Sequence, residues 1–192
     1  MIFGFWPVIV GSVVNLFGTS YYILNTIRGT TKPNRMTWLM WSIAPLIGAS
    51  AAFASGVTWA ALPVFMAGFM PLLVLIASFV NRNAYWKLGT FDYVCGLLSL
   101  LALILWYITN DATIAIIFAI ASDFAASVPT VIKCWKQPET ETASGYTASW
   151  FNNAMSFLVI THWTFANYAF PLYLVFMNTA LAFPIIRRKR SF

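Results

Sequence analysis

NLFGTSYYILNTIR at residues 15–28 and DFAASVPTVIKCWK at residues 123–136 are two versions of one pattern. In each segment, three polar residues are spaced i, i+4 and i+7, which places them on one face of an α-helix. The two sets lie 108 residues apart and are Asn15, Thr19 and Tyr22 in the first segment and Asp123, Ser127 and Thr130 in the second. Each segment ends in a basic residue and is followed by a loop that contains a proline. The chain is therefore predicted to contain an internal repeat.

The composition is typical of a membrane protein. Of the 192 residues, 60% are hydrophobic and 8% are charged, whereas about 25% of the residues in a soluble domain are charged. This excludes an ordinary cytosolic enzyme and a disordered protein. The 11 Lys and Arg against 5 Asp and Glu give a net charge of +6. These basic residues are too few and too scattered to form a nucleic-acid-binding face, so we interpret them as topology signals.

Seven apolar runs approach the length of a transmembrane helix, which needs about 20 residues to cross about 30 Å of hydrocarbon. They cover residues 5–27, 36–55, 60–80, 91–109, 113–135, 149–164 and 167–186. The connections between the runs are short, so there is no room for a soluble catalytic domain. We therefore expect an all-α membrane protein with seven transmembrane helices.

The basic residues orient these seven helices. With seven crossings all of them fall on one side, in four groups at residues 28–35, 82–87, 133–136 and 187–190. Because an excess of Lys and Arg marks the cytoplasmic face, we expect the N-terminus outside and the C-terminus in the cytoplasm. The expected location is the plasma (inner) membrane, or an organellar membrane if the source is eukaryotic.

The repeat extends beyond the two quoted segments, since Trp38 aligns with Trp150 after a four-residue insertion. We expect a first three-helix bundle at residues 1–80, a loop and linker helix at 81–112, and a second three-helix bundle with a basic tail at 113–192. Three helices are an odd number, so two units of the same orientation require a linker helix between them. Parallel repeats of this kind place a binding site between the two halves.

The end of the fifth run resembles the PQ-loop motif. The residues that carry this resemblance are Val128-Pro129-Thr130-Val131-Ile132-Lys133, Trp135, Glu141, Gly145, Tyr146 and Trp150. The glutamine of the motif is Thr130 here, and the first repeat has Tyr21-Tyr22 in place of Pro-Gln. The PQ-loop superfamily includes SWEET sugar carriers and cystinosin-like amino-acid exporters. The resemblance implies a 3+1+3 helix arrangement and the transport of a small solute.

Asp123 is the most specific candidate for a functional residue. It lies about ten residues into the fifth run, or about 15 Å deep, where a carboxylate costs about 2.5–3.5 kcal/mol to insert. One interpretation is a proton-coupling group or a substrate ligand. The alternative is a structural hydrogen bond to Asn15 that holds the two halves together.

Five further residues are candidates for substrate binding, namely Asn15, Trp38, Trp150, Asn153 and Asn178. Amides can bind a polar solute, but they can equally join helices to one another. Asn152 and Asn153 are expected to start the sixth helix, where capping is an equal alternative. Indole rings can stack on a substrate ring, or they can anchor a helix at the membrane surface.

Pro45, Pro71 and Pro129 each remove a helix hydrogen bond and are candidate hinges, with static kinks as the alternative. Glu139 and Glu141 flank a basic loop and are expected to be exposed to water. The sequence contains no catalytic signature, cofactor motif or metal-ligand spacing, so we predict no enzyme, no cofactor and no metal site.

Together these patterns predict a small polar solute transporter that works by alternating access between two helical bundles, with proton coupling through Asp123 as a further hypothesis. A sugar, an amino acid or a vitamin-like molecule is expected, uncharged or zwitterionic, because no basic residue is predicted near the midplane. A non-transporting receptor or interaction protein on the same fold is the alternative. The expected partners are the solute and the lipid bilayer, with a homo-oligomer as an option and no nucleic acid.

Overall fold

The computed structural model describes residues 6–54, 62–81, 86–108 and 112–189, and within these ranges all regular structure is helical. Seven α-helices follow one another: α1 Trp6–Ile27, α2 Arg35–Ala54, α3 Leu62–Val80, α4 Thr90–Ile108, α5 Ala112–Lys136, α6 Ala143–Ser156 and α7 Phe165–Lys189. Short 3₁₀ turns precede and follow α6, at Pro138–Thr140 and Phe157–Val159. The prediction of an all-α chain with seven helices is confirmed.

The sixth helix differs most from its predicted bounds. The prediction of 149–164 is wrong at both ends, because α6 spans Ala143–Ser156. Its first six residues, ASGYTA, are mostly small or hydroxylated and therefore do not continue an apolar run. Asn152 and Asn153 consequently lie in the third turn of α6 and not at its start, so they do not cap the helix.

Three helical segments are long and apolar enough to cross a membrane, by length and composition: Trp6–Ile27, Ile116–Lys136 and Asn167–Arg188. Large apolar side chains are also exposed around the outside of the bundle, among them Phe17, Leu97 and Phe176. Soluble proteins rarely expose apolar patches of this extent. The chain is therefore one that can cross a membrane more than once.

Helices α1–α3 and helices α5–α7 show a similar pattern of contacts. In the first half, α1–α3, helix α3 contacts both α1 and α2; in the second half, α5–α7, helix α7 contacts both α5 and α6. Between the halves, α1 packs along α6 and α2 packs against α5. Helix α4 packs against α5 and α2. The six helices other than α4 thus surround a common interior.

Helices α1 and α6 approach closely because glycines of α1 face α6. A Cβ at Gly18 would lie 2.3 Å from the Ala148 Cβ and 2.7 Å from the Ser144 carbonyl oxygen, and a Cβ at Gly11 would lie 2.6 Å from Asn152 Oδ1. The Ser144 hydroxyl donates a hydrogen bond to the Gly18 carbonyl at 2.9 Å. Since only glycine leaves space for this approach, these two positions set the distance between α1 and α6.

One end of the bundle carries nearly all of the described charged residues, and we call it the charged end. Here α1, α3, α5 and α7 finish and α2, α4 and α6 begin. Contacts across it join Arg35 to Ser78, Asn34 to Asp92, Lys133 to Lys32 and Arg188 to Glu139. Four charged residues are not placed at this end. Arg82, Asp111 and Arg190 fall outside the described residues, and Asp123 lies in the interior.

Candidate substrate-binding site

A cavity of about 200 Å³ lies between the two halves, and each of the six helices α1–α3 and α5–α7 contributes residues to its wall. Part of the wall is polar, with Asn15, Asp123, Ser149, Asn152, Asn153 and Asn178. The remainder is mostly aromatic rings and methionines, among them Trp38, Trp41, Tyr146, Phe170, Met70 and Met177. A few polar groups set in an apolar concavity are typical of a small-molecule site.

Asp123 is the charged residue of this wall within the described part of the chain. Its Oδ2 accepts a hydrogen bond from the Tyr173 hydroxyl at 2.7 Å and lies 3.2 Å from the Ser127 hydroxyl, which shares its hydrogen with the Asp123 carbonyl at 2.7 Å, while Oδ1 accepts none from the described residues. Asn15 does not bond to Asp123 and instead accepts a hydrogen bond from Thr19 at 3.2 Å. The carboxylate is therefore oriented by hydroxyls of its own half, and one of its oxygens is left for a ligand.

Two asparagines of the wall, Asn153 and Asn178, are each held through the amide nitrogen. The Asn178 Nδ2 donates to the Leu174 carbonyl at 2.8 Å and to the Ser149 hydroxyl at 3.3 Å, and the Asn153 Nδ2 donates to the Ser149 carbonyl at 2.8 Å. Neither Oδ1 accepts a hydrogen bond from the described residues, and the Asn152 side chain makes none with them. The amides are thus oriented, and their acceptor oxygens remain available.

Two tryptophans of the wall have indole N–H groups without an acceptor. Trp38 is only 5% exposed, and its ring packs 5.0 Å from that of Tyr22 and edge-on to Trp41 at 5.0 Å. The Nε1 atoms of Trp38 and Trp41 are buried and donate to nothing in the described part of the chain. A buried donor without a partner costs about 1–3 kcal/mol. An acceptor brought by a ligand, or a rearrangement of these rings, would recover that cost.

Between the cavity and the charged end lies a buried ion pair. The Lys133 Nζ contacts Glu141 Oε1 at 2.6 Å, and the two side chains are 1% and 0% exposed. Glu141 Oε2 accepts hydrogen bonds from the Tyr22 hydroxyl at 2.7 Å and from the Tyr146 hydroxyl at 3.1 Å. Lys133 also donates to the Lys32 carbonyl. We call these five residues the charged-end network; the Glu141 carboxylate and the Lys133 ammonium both have partners in it.

Hydroxyl pairs continue the connection between the halves. The Thr31 and Thr142 hydroxyls lie 2.5 Å apart. The Thr130 hydroxyl donates to that of Thr37 at 2.8 Å, and Thr37 donates to the Ala126 carbonyl at 2.7 Å. All five residues are buried. The interior is therefore closed at the charged end by hydrogen bonds that cross from one half to the other.

Five of the six residues predicted to bind substrate lie together in the cavity wall: Asn15, Trp38, Asp123, Asn153 and Asn178. Trp150 does not line the cavity and is 41% exposed. The face of α6 that lines the cavity is centred on Ser149, and each further residue is rotated by about 100° around a helix. One residue is enough to turn the Trp150 indole away from the cavity.

The three predicted hinge prolines all lie inside helices. Pro45 in α2 and Pro71 in α3 line the cavity, whereas Pro129 in α5 is buried outside it. Their function as hinges stays a prediction.

Several polar or aromatic residues of the wall were not among the predicted site residues, including Tyr146 and Ser149. Both belong to α6, where polar and small residues recur at i, i+3, i+4 and i+7 from Gly145 onward. That spacing marks a helix face, but the signal is visible only when the helix is started at residue 143 and not at 149.

Glu141 is buried, at 4% exposure, so the expectation that it is exposed to water is wrong. Its carboxylate is stable in the interior because a lysine and two tyrosine hydroxyls pair with it. Glu139, two residues earlier, is exposed, as expected, and it contacts Arg188. The difference comes from which side of the loop faces the ion-pair partner, a property that composition alone does not reveal.

No group of three or more His, Cys, Asp or Glu residues that could hold a metal occurs among the described residues. Cys95 and Cys134 are both free thiols. No family model, curated protein or solved structure matches this chain.

Proposed function

We propose that this chain is a membrane carrier, and not an enzyme, that moves a small polar solute by alternating access. One observation carries the proposal: a polar cavity lies between two helical halves, and the bonds that close it at one end join one half to the other. An arrangement of this kind can open at the charged end without breaking either half.

In this proposal all seven helices cross the bilayer, with the charged end in the cytoplasm because basic residues accumulate there. The halves α1–α3 and α5–α7 are parallel repeats joined by α4, in the 3+1+3 arrangement of the PQ-loop superfamily. Two features support this. The third helix of each half packs against the other two, and Asn15 and Asp123, which are equivalent in the repeat, both line the cavity.

The conformation described here is closed at the charged end. A solute enters from the opposite end and contacts the wall of the cavity. The halves then separate at the charged end, which breaks the Tyr22–Glu141 and Thr31–Thr142 contacts. Lys133 and Glu141 belong to the same half, so their ion pair stays intact, and the cost of about 3–5 kcal/mol for an unpaired buried charge is avoided.

The native thiol Cys134 tests this opening without a known solute. Cys134 is fully buried in the core cluster that contains Tyr22 and Trp38. In a Cys95→Ala background, a membrane-impermeant maleimide is added to the charged side of oriented vesicles. A carrier exposes Cys134 transiently, and Tyr22→Phe speeds labelling about tenfold if its lost hydrogen bond is worth about 1.4 kcal/mol.

The matched control is Tyr21→Phe, since Tyr21 is 50% exposed and should leave the labelling rate unchanged. A receptor that never opens at this end predicts the opposite outcome. If Cys134 in folded protein is labelled no faster in Tyr22→Phe than in the parent chain, the carrier proposal is wrong.

A further inference from the structure

We infer that the cavity takes a small organic cation, and that this cation exchanges for a proton on Asp123. The inference rests on the proposed carrier function and goes beyond it by naming the charge of the substrate and the exchange partner. It also departs from the uncharged or zwitterionic solute that the sequence favours.

The charge of the cavity is the first argument. Asp123 is the charged residue of the described wall, and its Oδ1 accepts no hydrogen bond from the described residues. The buried ammonium of the charged-end network, Lys133, is already paired with Glu141 and the Lys32 carbonyl. An anion, or the carboxylate of a zwitterion, would therefore meet a negative charge and no basic side chain.

The rest of the wall suits an organic cation. Trp38, Trp41, Tyr146 and Phe170 supply aromatic rings, and the faces of such rings attract cations. The free Oδ1 atoms of Asn153 and Asn178 can accept N–H donors from the same molecule. A neutral oxygen on the solute would give the unpaired indole N–H groups an acceptor.

The described surroundings of Asp123 show that a proton is the ligand that competes with a bound cation for its carboxylate. Several titratable groups lie on the described parts of the elements packed against α5: Arg35 on α2; Asp92, Tyr93, Cys95 and Tyr107 on α4; Glu139 in the 3₁₀ turn; and Tyr168, Tyr173, Arg187, Arg188 and Lys189 on α7. Of these, only Tyr173 is hydrogen-bonded to the carboxylate. No described basic side chain contacts Asp123, so its charge is neutralised by a proton or by a bound cation.

Exchange follows from this competition. One carboxylate cannot hold a proton and pair with a cation at the same time, so cation binding releases the proton to water. If the cavity is empty and Asp123 is ionised, closing the cavity during the return to the other open state is costly. The carrier therefore changes sides with either a cation or a proton bound, which couples one cation to one proton.

A set of isosteric probes tests the charge preference. Benzamidine, benzamide and benzoate have nearly the same planar shape and carry charges of plus one, zero and minus one. We expect benzamidine to raise the melting temperature of purified protein in detergent, benzamide to raise it less, and benzoate to leave it unchanged. Equal shifts for benzamidine and benzamide, or no shift for benzamidine, overturn the inference.

The pH dependence tests the proton competition in the unmodified protein. In the acid range the benzamidine dissociation constant should rise about tenfold for each unit by which the pH is lowered, as expected when one proton competes. The dissociation constant for benzamide should stay constant. Binding should also release protons, detected with a pH indicator in weak buffer. A benzamidine affinity that is independent of pH contradicts the exchange.

Asp123→Asn assigns the effect to this residue. We expect benzamidine binding to weaken about ten- to a hundredfold, since a hydrogen bond to a charged group is lost, and benzamide binding to persist. If the variant folds and still prefers benzamidine, the assignment is wrong; if it does not fold, the pH series in the parent chain decides. None of these outcomes depends on Cys134 labelling, so the inference and the carrier proposal can fail separately.

Discussion

The charged-end network and the cavity are both buried and polar, but they differ in how completely their groups are paired. In the network, the Glu141 carboxylate has three partners and the Lys133 ammonium has two. In the cavity, the indole N–H groups of Trp38 and Trp41 have no acceptor in the described residues, and Asp123 uses one oxygen of two.

This difference separates a closing contact from a binding site. Buried polar groups are almost always hydrogen-bonded. A buried cluster whose polar groups are all paired with one another therefore needs no further partner. A cluster with several unused groups around a cavity indicates that something else supplies the partners. The network therefore stabilises the charged end, and the cavity is the place where we propose that a solute binds.

The largest effect is expected when the ion pair is broken. Lys133→Met leaves the Glu141 carboxylate buried without a cation, which should cost about 3–5 kcal/mol in the free energy of unfolding. Lys136→Met is the control, because Lys136 lies in the same last turn of α5 and is exposed. Thermal unfolding of both variants in detergent measures the difference. Equal melting temperatures would mean that the pair does not stabilise the closed end.

Removal of a single hydroxyl from the network should have an intermediate effect. Tyr22→Phe deletes the 2.7 Å hydrogen bond to Glu141, and a hydrogen bond to a charged group contributes about 1.5–3 kcal/mol. Tyr21→Phe, on the neighbouring exposed residue, should change the free energy of unfolding by less than about 0.5 kcal/mol. The same unfolding assay compares them, and a Tyr22 variant as stable as the Tyr21 variant would argue against the pairing described here.

The smallest effect compares two asparagines, one at the charged end of the bundle and one in the cavity wall. Asn34 is buried, donates to Asp92 at 2.5 Å and accepts from the Met36 and Thr37 N–H groups at the start of α2. Asn34→Ala should therefore cost about 0.5–2 kcal/mol, as for the loss of a helix cap. Asn152 makes no side-chain hydrogen bond with the described residues, so Asn152→Ala should be within about 0.5 kcal/mol of the parent chain.

A reversal of this order, with Asn152→Ala the more destabilising of the two, would show that the cavity is held together by its own polar groups. The distinction between the two regions would then be lost. Chemical denaturation of the two variants in the same detergent gives the comparison directly.

Helix number and five of the six site residues could be predicted because they depend on local patterns. Apolar runs define helices, and the i, i+4 and i+7 spacing places Asn15 and Asp123 each on a polar helix face. The start of α6 could not be predicted, since its first turns are mostly small and polar residues, of which Ser144 and Ala148 pack on Gly18 of α1. Such packing depends on tertiary contact and leaves no apolar periodicity.

The charged-end network could not be predicted for a related reason. Tyr22 and Glu141 are separated by 119 positions in the chain, and nothing local indicates that they meet. A glutamate next to basic residues in a loop is most simply interpreted as exposed to water. Only the fold shows that Lys133 and two tyrosine hydroxyls surround its carboxylate.

A reversible lock on the closed end tests the central claim, that the cavity is reached from each side in turn. Thr31→Cys and Thr142→Cys join the halves where their hydroxyls are 2.5 Å apart, in a chain with Cys95 and Cys134 replaced by alanine. Ser149→Cys then reports access to the cavity. The control disulfide, Ser99→Cys with Ser122→Cys, replaces hydroxyls 3.0 Å apart on α4 and α5 and leaves the halves free to separate.

With the lock oxidised, an impermeant maleimide should label Ser149→Cys from the end opposite the charged end and not from the charged end. Reduction should restore labelling from the charged end, and the control disulfide should have no effect on either side. Labelling from the charged end that is equally fast with the lock oxidised and reduced would contradict alternating access.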